Sequence, residues 1–370
     1  MHVPGRGQEG REPQNRPGGA STRLTPQALR RRFRPSEFLA EKSITAVAFV
    51  SLATIVAIFI FVFREALPVF GTSERPAVGA QVEESETYGE EFIGESAQAF
   101  EEATAGTRSV ESAGAEGDAT LVNLLSTTWQ PISHEPKYGL LPLVAGSLKV
   151  TFLAVLIAAP LAILAALFTS SFAPRWSKEV LKPAIEILAG FPSVVIGFFA
   201  LVTLASLLQS VFGYEFRLNA FLGGVAMSLA VIPIIFTVAE DALTAVPRYY
   251  TEASLALGAT RWQTALFVTL PAATPGVFAS IVLGFGRAFG ETMIVLMATG
   301  NAALLSFNFL EPVRTMSATI GAEMAEVVFG DTHYNVLFLL GSILFLFTFT
   351  LNAVAEVFIR QRLLKRFRGV

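Results

Sequence analysis

Residues 252–271 read EASLALGATRWQTALFVTLP, a weakly apolar stretch set between two strongly hydrophobic ones. Its fixed points are Glu252-Ala253-Ser254, then Gly258 after three intervening residues, then Val268-Thr269-Leu270-Pro271 after nine more. Gly258 supplies a turn, because a residue without Cβ adopts positive φ at no steric cost. Pro271 closes the stretch, where a continuing helix would lose a backbone N–H. The spacing predicts a helix–turn–helix that holds one short helix out from the membrane, with Glu252 capping it or touching whatever it meets. A purely structural interfacial helix joining two spans is the alternative.

Composition points the same way. The chain has 370 residues, 52% hydrophobic and 15% charged, with mean hydropathy +0.55. A soluble domain of this size carries more charge, so a membrane class is favoured. There are no cysteines, which removes disulfides and thiolate metal sites. His2, His134 and His333 stand far apart, in no metal-ligand spacing. The phosphate-cradling pattern G-x-x-x-x-G-K-[ST] is absent. No metal, cofactor, catalytic residue or nucleic-acid partner is expected, and any ATP that drives this protein binds another chain.

Six apolar stretches are long enough to cross about 30 Å of hydrocarbon at about 1.5 Å per residue. The first is Ile44 to Phe63, without a charge; the others are roughly 140–168, 184–208, 219–239, 273–299 and 335–358. Residues 1–43, rich in Arg, Gly, Pro and Gln, read as a disordered basic tail rather than a cleavable signal, since some forty polar residues precede the first apolar run. Residues 359–370 form a second basic tail. With the N-terminus inside, the cytoplasmic segments hold 19 Arg and Lys and the opposite ones 6. The positive-inside rule then places both termini, and the 240–272 loop, in the cytoplasm. The first external segment, 64–138, has 14 Asp and Glu against 4 Arg and Lys. Its middle offers little that could pack and reads as largely disordered. Trp129 and Tyr138 suit an interfacial anchor before the second span.

Within the fifth span lies Gly284-Phe285-Gly286-Arg287-Ala288-Phe289-Gly290-Glu291-Thr292. Arg287 is 14 residues past Ala273, about 21 Å along a helix and so near mid-membrane. A central Arg costs roughly 2.5–3.5 kcal/mol on insertion scales, so it should face a bundle interior or a wet pathway. Glu291, four residues on, shares its helix face and can pair with it. Self-neutralisation inside the bundle is the plainer reading. Basic before acidic is the weaker order on a helix, however, which argues for a pathway role. Gly286 and Gly290 form a G-x-x-x-G that reads as helix packing. Lys149, in the second span, has a stem long enough to snorkel to the outer interface. Glu186, near Lys182, reads as an interfacial charge.

These residues carry a family resemblance. The 252–271 spacing resembles the coupling loop of membrane subunits of bacterial ABC importers. GRAFGETMIVLMATGN (286–301), IEILAGFPSVVIGFFAL (185–201) and YGLLPLVAGSLKVT (138–151) resemble phosphate permeases of the PstC type, over about residues 138–365. The resemblance implies an all-α membrane protein with six transmembrane helices, the type I ABC importer permease fold and a cytoplasmic coupling helix. Residues 139–358 would be the permease core with five of those helices. It implies that the chain is a multi-pass subunit of the bacterial inner membrane and not an enzyme. Its implied partners are a second permease of the PstA type, two ATPase subunits, a periplasmic phosphate-binding protein, phosphate and the lipid membrane. Arg287 and Glu291 would line the substrate pathway, and Glu252, Ala253, Gly258, Leu270 and Pro271 would couple to the ATPase. An importer of another oxyanion or solute, or a membrane scaffold linked to phosphate sensing, are the rival readings.

The acidic segment lies outside the resemblance. Deleting about residues 75–120 is expected to leave phosphate uptake, expression and apparent affinity for the loaded binding protein unchanged. Loss of uptake at normal membrane insertion would show a folded docking element there.

Overall fold

Lipid offers no partner to a backbone N–H or C=O, so each long apolar run must satisfy its own groups, and it does so as helix. The structure, a computed structural model, describes residues 35–70, 121–133 and 135–358. The expectations for residues 1–34, 71–120 and 359–370 lie outside the described residues. The chain forms two units, divided between Ala57 and Ile58. The described part of the first is the N-terminal portion of helix α1 (Pro35–Ala66), whose side chains from Ile44 to Val56 are exposed. Residues 35–43 are helical; proline fits a helix start, where its missing N–H goes unused.

In the second unit a small antiparallel hairpin precedes the bundle, with β1 (Trp129–Gln130) paired to β2 (Lys137–Tyr138). The helices that follow are α2 (Leu141–Ser171), α3 (Arg175–Gly190), α4 (Ser193–Phe212), α5 (Ala220–Thr244) and α6 (Arg248–Ala256). After these come α7 (Arg261–Ala272), α8 (Thr274–Phe289), α9 (Met293–Ala298), α10 (Met316–Glu323) and α11 (Thr332–Phe358). Among the described residues five helices are long and apolar enough to span a bilayer, and α7 with α8, bent by 71°, makes a sixth.

Two spans depart from the sequence reading. The third does not run over 184–208. Helix α3 ends at Gly190, Phe191 and Pro192 are extended (ψ 129° and 135°), and α4 begins at Ser193. Proline excludes its predecessor from the helical region, which a count of apolar residues does not register. Nor is the fifth span continuous over 273–299. It stops at Phe289, passes Gly290, and restarts as the short helix α9.

The core is built from small residues. Val150, Ala154, Ala158, Ala162 and Ala166 recur every fourth position of α2 and are fully buried. They form the ridge along which α2 meets α5. On α8 the same role falls to Gly276, Ser280 and Gly284. A Cβ at Gly284 would sit 2.6 Å from Ile235, and one at Gly276 would collide with Ala242, both on α5. Between lipid-immersed helices this close approach, rather than expulsion of water, supplies the attraction. The G-x-x-x-G of Gly286 and Gly290 does not pack in this way, since a Cβ at either would meet nothing nearer than 3.8 Å.

Candidate functional site

The 252–271 stretch is a helix–turn–helix. Helix α6 ends at Ala256, and Gly258 takes φ +90°, a conformation side chains with a Cβ rarely adopt. Thr260 then caps α7 in a capping box with Gln263, so both helix ends are closed inside a few residues. The Ser254 and Thr264 hydroxyls, 2.9 Å apart, tie the two helices together. Glu252 and Ala253 are exposed, as are Tyr249, Tyr250, Leu255, Leu257, Trp262 and Phe267. Leu270 and Pro271 lie elsewhere, at the far end of α7 beside the 71° bend. Pro271 has no N–H to return to Phe267, and the preceding turn, Ala265–Thr269, widens to a π-helix. The stretch therefore separates into a protruding turn (Glu252, Ala253, Gly258) and a bend (Leu270, Pro271).

Arg287 lies in the last turn of α8, while Glu291 lies past its end. They meet around the helix terminus and not along one helix face, with Arg287 Nη1 3.6 Å from Glu291 Oε2. That is a loose pair. The Arg287 side chain is 51% exposed and the Glu291 side chain 6%. The carboxylate Oε1 accepts from the Met293 N–H (3.2 Å), and the backbone carbonyl of the same residue accepts from the Ser317 hydroxyl (2.6 Å). The guanidinium opens on a small cleft walled by Leu188, Phe191, Ser193, Ala230 and Ile234. This cleft lies where α3 breaks into α4, opposite α5.

Residues 141–364 match the family model described as "Binding-protein-dependent transport system inner membrane component". The chain belongs to this family. It is a multi-pass inner-membrane permease of the ABC importer class. The permease is 37% identical over 244 residues to "Probable ABC transporter permease protein YqgH" of Bacillus subtilis (strain 168), covering 66% of this chain and 79% of that one. It is 32% identical over 252 residues to "Phosphate transport system permease protein PstC" of Mesorhizobium japonicum, covering 63% and 76%. A crystal structure of a bacterial ABC transporter involved in the import of the acidic polysaccharide alginate aligns with TM-score 0.50 and 13% identity, over 88% of this chain and 99% of that one. That likeness concerns the fold alone, which is the all-α type I importer permease fold.

At the end of the bundle away from the protruding turn, the permease holds a polar cluster that no sequence spacing marks. Glu323 is its centre. Its Oε1 accepts from Trp129 Nε1 (3.2 Å) and pairs with Arg314, and its Oε2 lies 2.9 Å from His333 Nε2. Arg314 Nε also donates to Thr319 Oγ1 (3.2 Å). The Tyr138 ring lies 6.0 Å from both Trp129 and His333. Burial, and then the charges of Asp331 and Glu323, push the Tyr138 phenol up to about 12. Trp129 and Tyr138 are thus packed core, 5% and 3% exposed, and not interfacial anchors. The partner of the Trp129 indole N–H lies far along the chain, at Glu323. The Lys149 stem carries its Nζ to the carbonyls of Ser306 (2.8 Å) and Asn308, to which it donates. Lys182 pairs with buried Glu240 (2.7 Å), fixing α3 to α5, while Glu186 is exposed.

Replacing Glu323 with Ala would strand Arg314 in a largely buried site, at a cost of roughly 3–5 kcal/mol. A lowered melting temperature in detergent and faster proteolysis around residues 121–138 are expected. Unchanged melting would show that the cluster does not stabilise this end.

Proposed function

We propose that this permease carries inorganic phosphate inward across the bacterial inner membrane by alternating access. It pairs with a second permease of the PstA type and is driven by two copies of an ATPase, which alone hydrolyses ATP. A periplasmic phosphate-binding protein delivers the anion to the outer face. The observation that carries this reading is Arg287, a half-exposed guanidinium lining a cleft, paired only loosely, at 3.6 Å, with the Glu291 carboxylate. The PstC relatives support phosphate as the cargo.

The chemistry fits. A guanidinium presents a planar fork of donors to two oxygens of a phosphate and keeps its charge at any physiological pH. Alone in a low-dielectric passage it would hold the anion too firmly for release. Glu291, anchored by the Met293 N–H, competes for the same guanidinium and leaves it paired when the anion departs. Both termini and the protruding turn face the cytoplasm, following the excess of positive charge on that side. Glu252, Ala253 and the exposed aromatic residues around them contact the ATPase. Closure of the ATPase pair pulls on this turn, and α7 passes the motion through its bend at Leu270-Pro271 to α8, which bears Arg287.

Arg287→Gln is expected to assemble and to stimulate ATP hydrolysis while losing at least about tenfold in phosphate uptake. Wild-type uptake in proteoliposomes of that variant would remove Arg287 from the pathway. Gly258→Val, forced into a left-handed backbone at about 1–3 kcal/mol, is expected to insert normally but to lose co-purification with the ATPase. If co-purification and stimulated hydrolysis both survive, the turn is not the docking element.

A further inference from the structure

The cleft facing Arg287 contains one other polar side chain. Of the residues that line it, Leu188, Ala189, Phe191, Ile196, Ala230 and Ile234 offer only apolar surface, and Ser193 adds a hydroxyl. That hydroxyl is left without the bond that several others in the bundle make. Ser147, Ser228, Ser280 and Thr299 each donate to a carbonyl three or four residues back on their own helix. Ser193 is the first residue of α4, so the corresponding carbonyls, of Ala189 and Gly190, lie across the Phe191-Pro192 break. Nor does it cap the helix, because Pro192 occupies the cap position and no side chain bonds there. Among the described residues the Ser193 hydroxyl has no hydrogen-bond partner.

We infer that Ser193 is a second ligand of the translocated oxyanion, completing from the α4 wall the coordination that Arg287 begins from α8. This rests on the reading of Arg287 as the pathway cation. Arginine offers donors only, and two oxygens of a tetrahedral oxyanion remain once its fork is engaged. In a water-poor passage an unpaired oxygen or hydroxyl is costly. A serine hydroxyl donates to a bare oxygen and accepts from a protonated one, so it suits phosphate in either of the protonation states present near neutral pH. The site is also divided between two helices, with Ser193 on α4 and Arg287 on α8. A change in their separation would therefore alter how many ligands the anion keeps, which is what release requires.

The test uses the complete transporter in proteoliposomes with its binding protein and phosphate. Ser193→Ala is expected to lower maximal uptake about tenfold, the worth of one hydrogen bond to a charged group. The apparent KM for loaded binding protein should not change, because docking is untouched. Ser193→Thr, which keeps the hydroxyl, should restore most of the rate. Ser193→Ala added to Arg287→Gln should cost nothing further, since both act on one bound anion. This chain has no cysteine, so Ser193→Cys gives it a single thiol, and phosphate should slow labelling of this chain by a small cationic thiol reagent. Wild-type uptake by Ser193→Ala beside an inactive Arg287→Gln overturns the serine ligand alone. So does equal loss in the Ala and Thr variants, or labelling that phosphate does not slow. Wild-type uptake by Arg287→Gln removes the reading beneath it, and the serine inference with it.

Discussion

A helix crossing lipid can break only where protein or water meets the backbone groups it frees. The permease breaks its spans at Phe191-Pro192, at the bend by Ala273 and at Gly290–Thr292, and these breaks decide where its polar chemistry can sit. At Glu291 the freed carbonyl takes the Ser317 hydroxyl and the side chain takes the Met293 N–H. In α4 the π-turn Ala200–Leu204 leaves the Leu201 carbonyl to Arg217 Nη2, 2.6 Å away. The break before Ser193 leaves a hydroxyl facing a cleft. Two of the three breaks adjoin Arg287, and the third leads from the protruding turn into the helix that carries it.

The rest of the bundle is rigid by construction. A ridge of alanines on α2 and the Gly276-Ser280-Gly284 face of α8 bring these helices hard against α5. Packing of this kind moves as a body and transmits displacement rather than absorbing it. Between the turn at Gly258 and α8 the chain passes the wider backbone at Ala265–Thr269 and the 71° bend, the places where this path can flex.

Buried charge is confined to sites where each carboxylate has several partners. Glu323 gathers Arg314, His333 and Trp129, and Glu240 holds Lys182 and the Thr244 hydroxyl. Both clusters sit near the ends of the bundle, where they fix a hairpin and a surface helix to the spans. Arg287 is the exception. It pairs loosely, at 3.6 Å, and half its side chain is exposed.

Much of this was legible in the sequence. Apolar runs of span length, an excess of positive charge on alternate segments and the Gly258 spacing depend on local composition, and they gave the all-α class, the six spans and the protruding turn. Arg287 was legible too, because a charge within an apolar run needs no structure to stand out. The tertiary structure alone decided where the spans break, since Pro192 and Gly290 act on backbone angles that a hydropathy count ignores. It alone placed Ser193 in the cleft of Arg287, 94 residues away, and gathered Trp129, Arg314 and His333 around Glu323. Such constellations form between residues on different helices, and sequence spacing records only what neighbours along the chain can do.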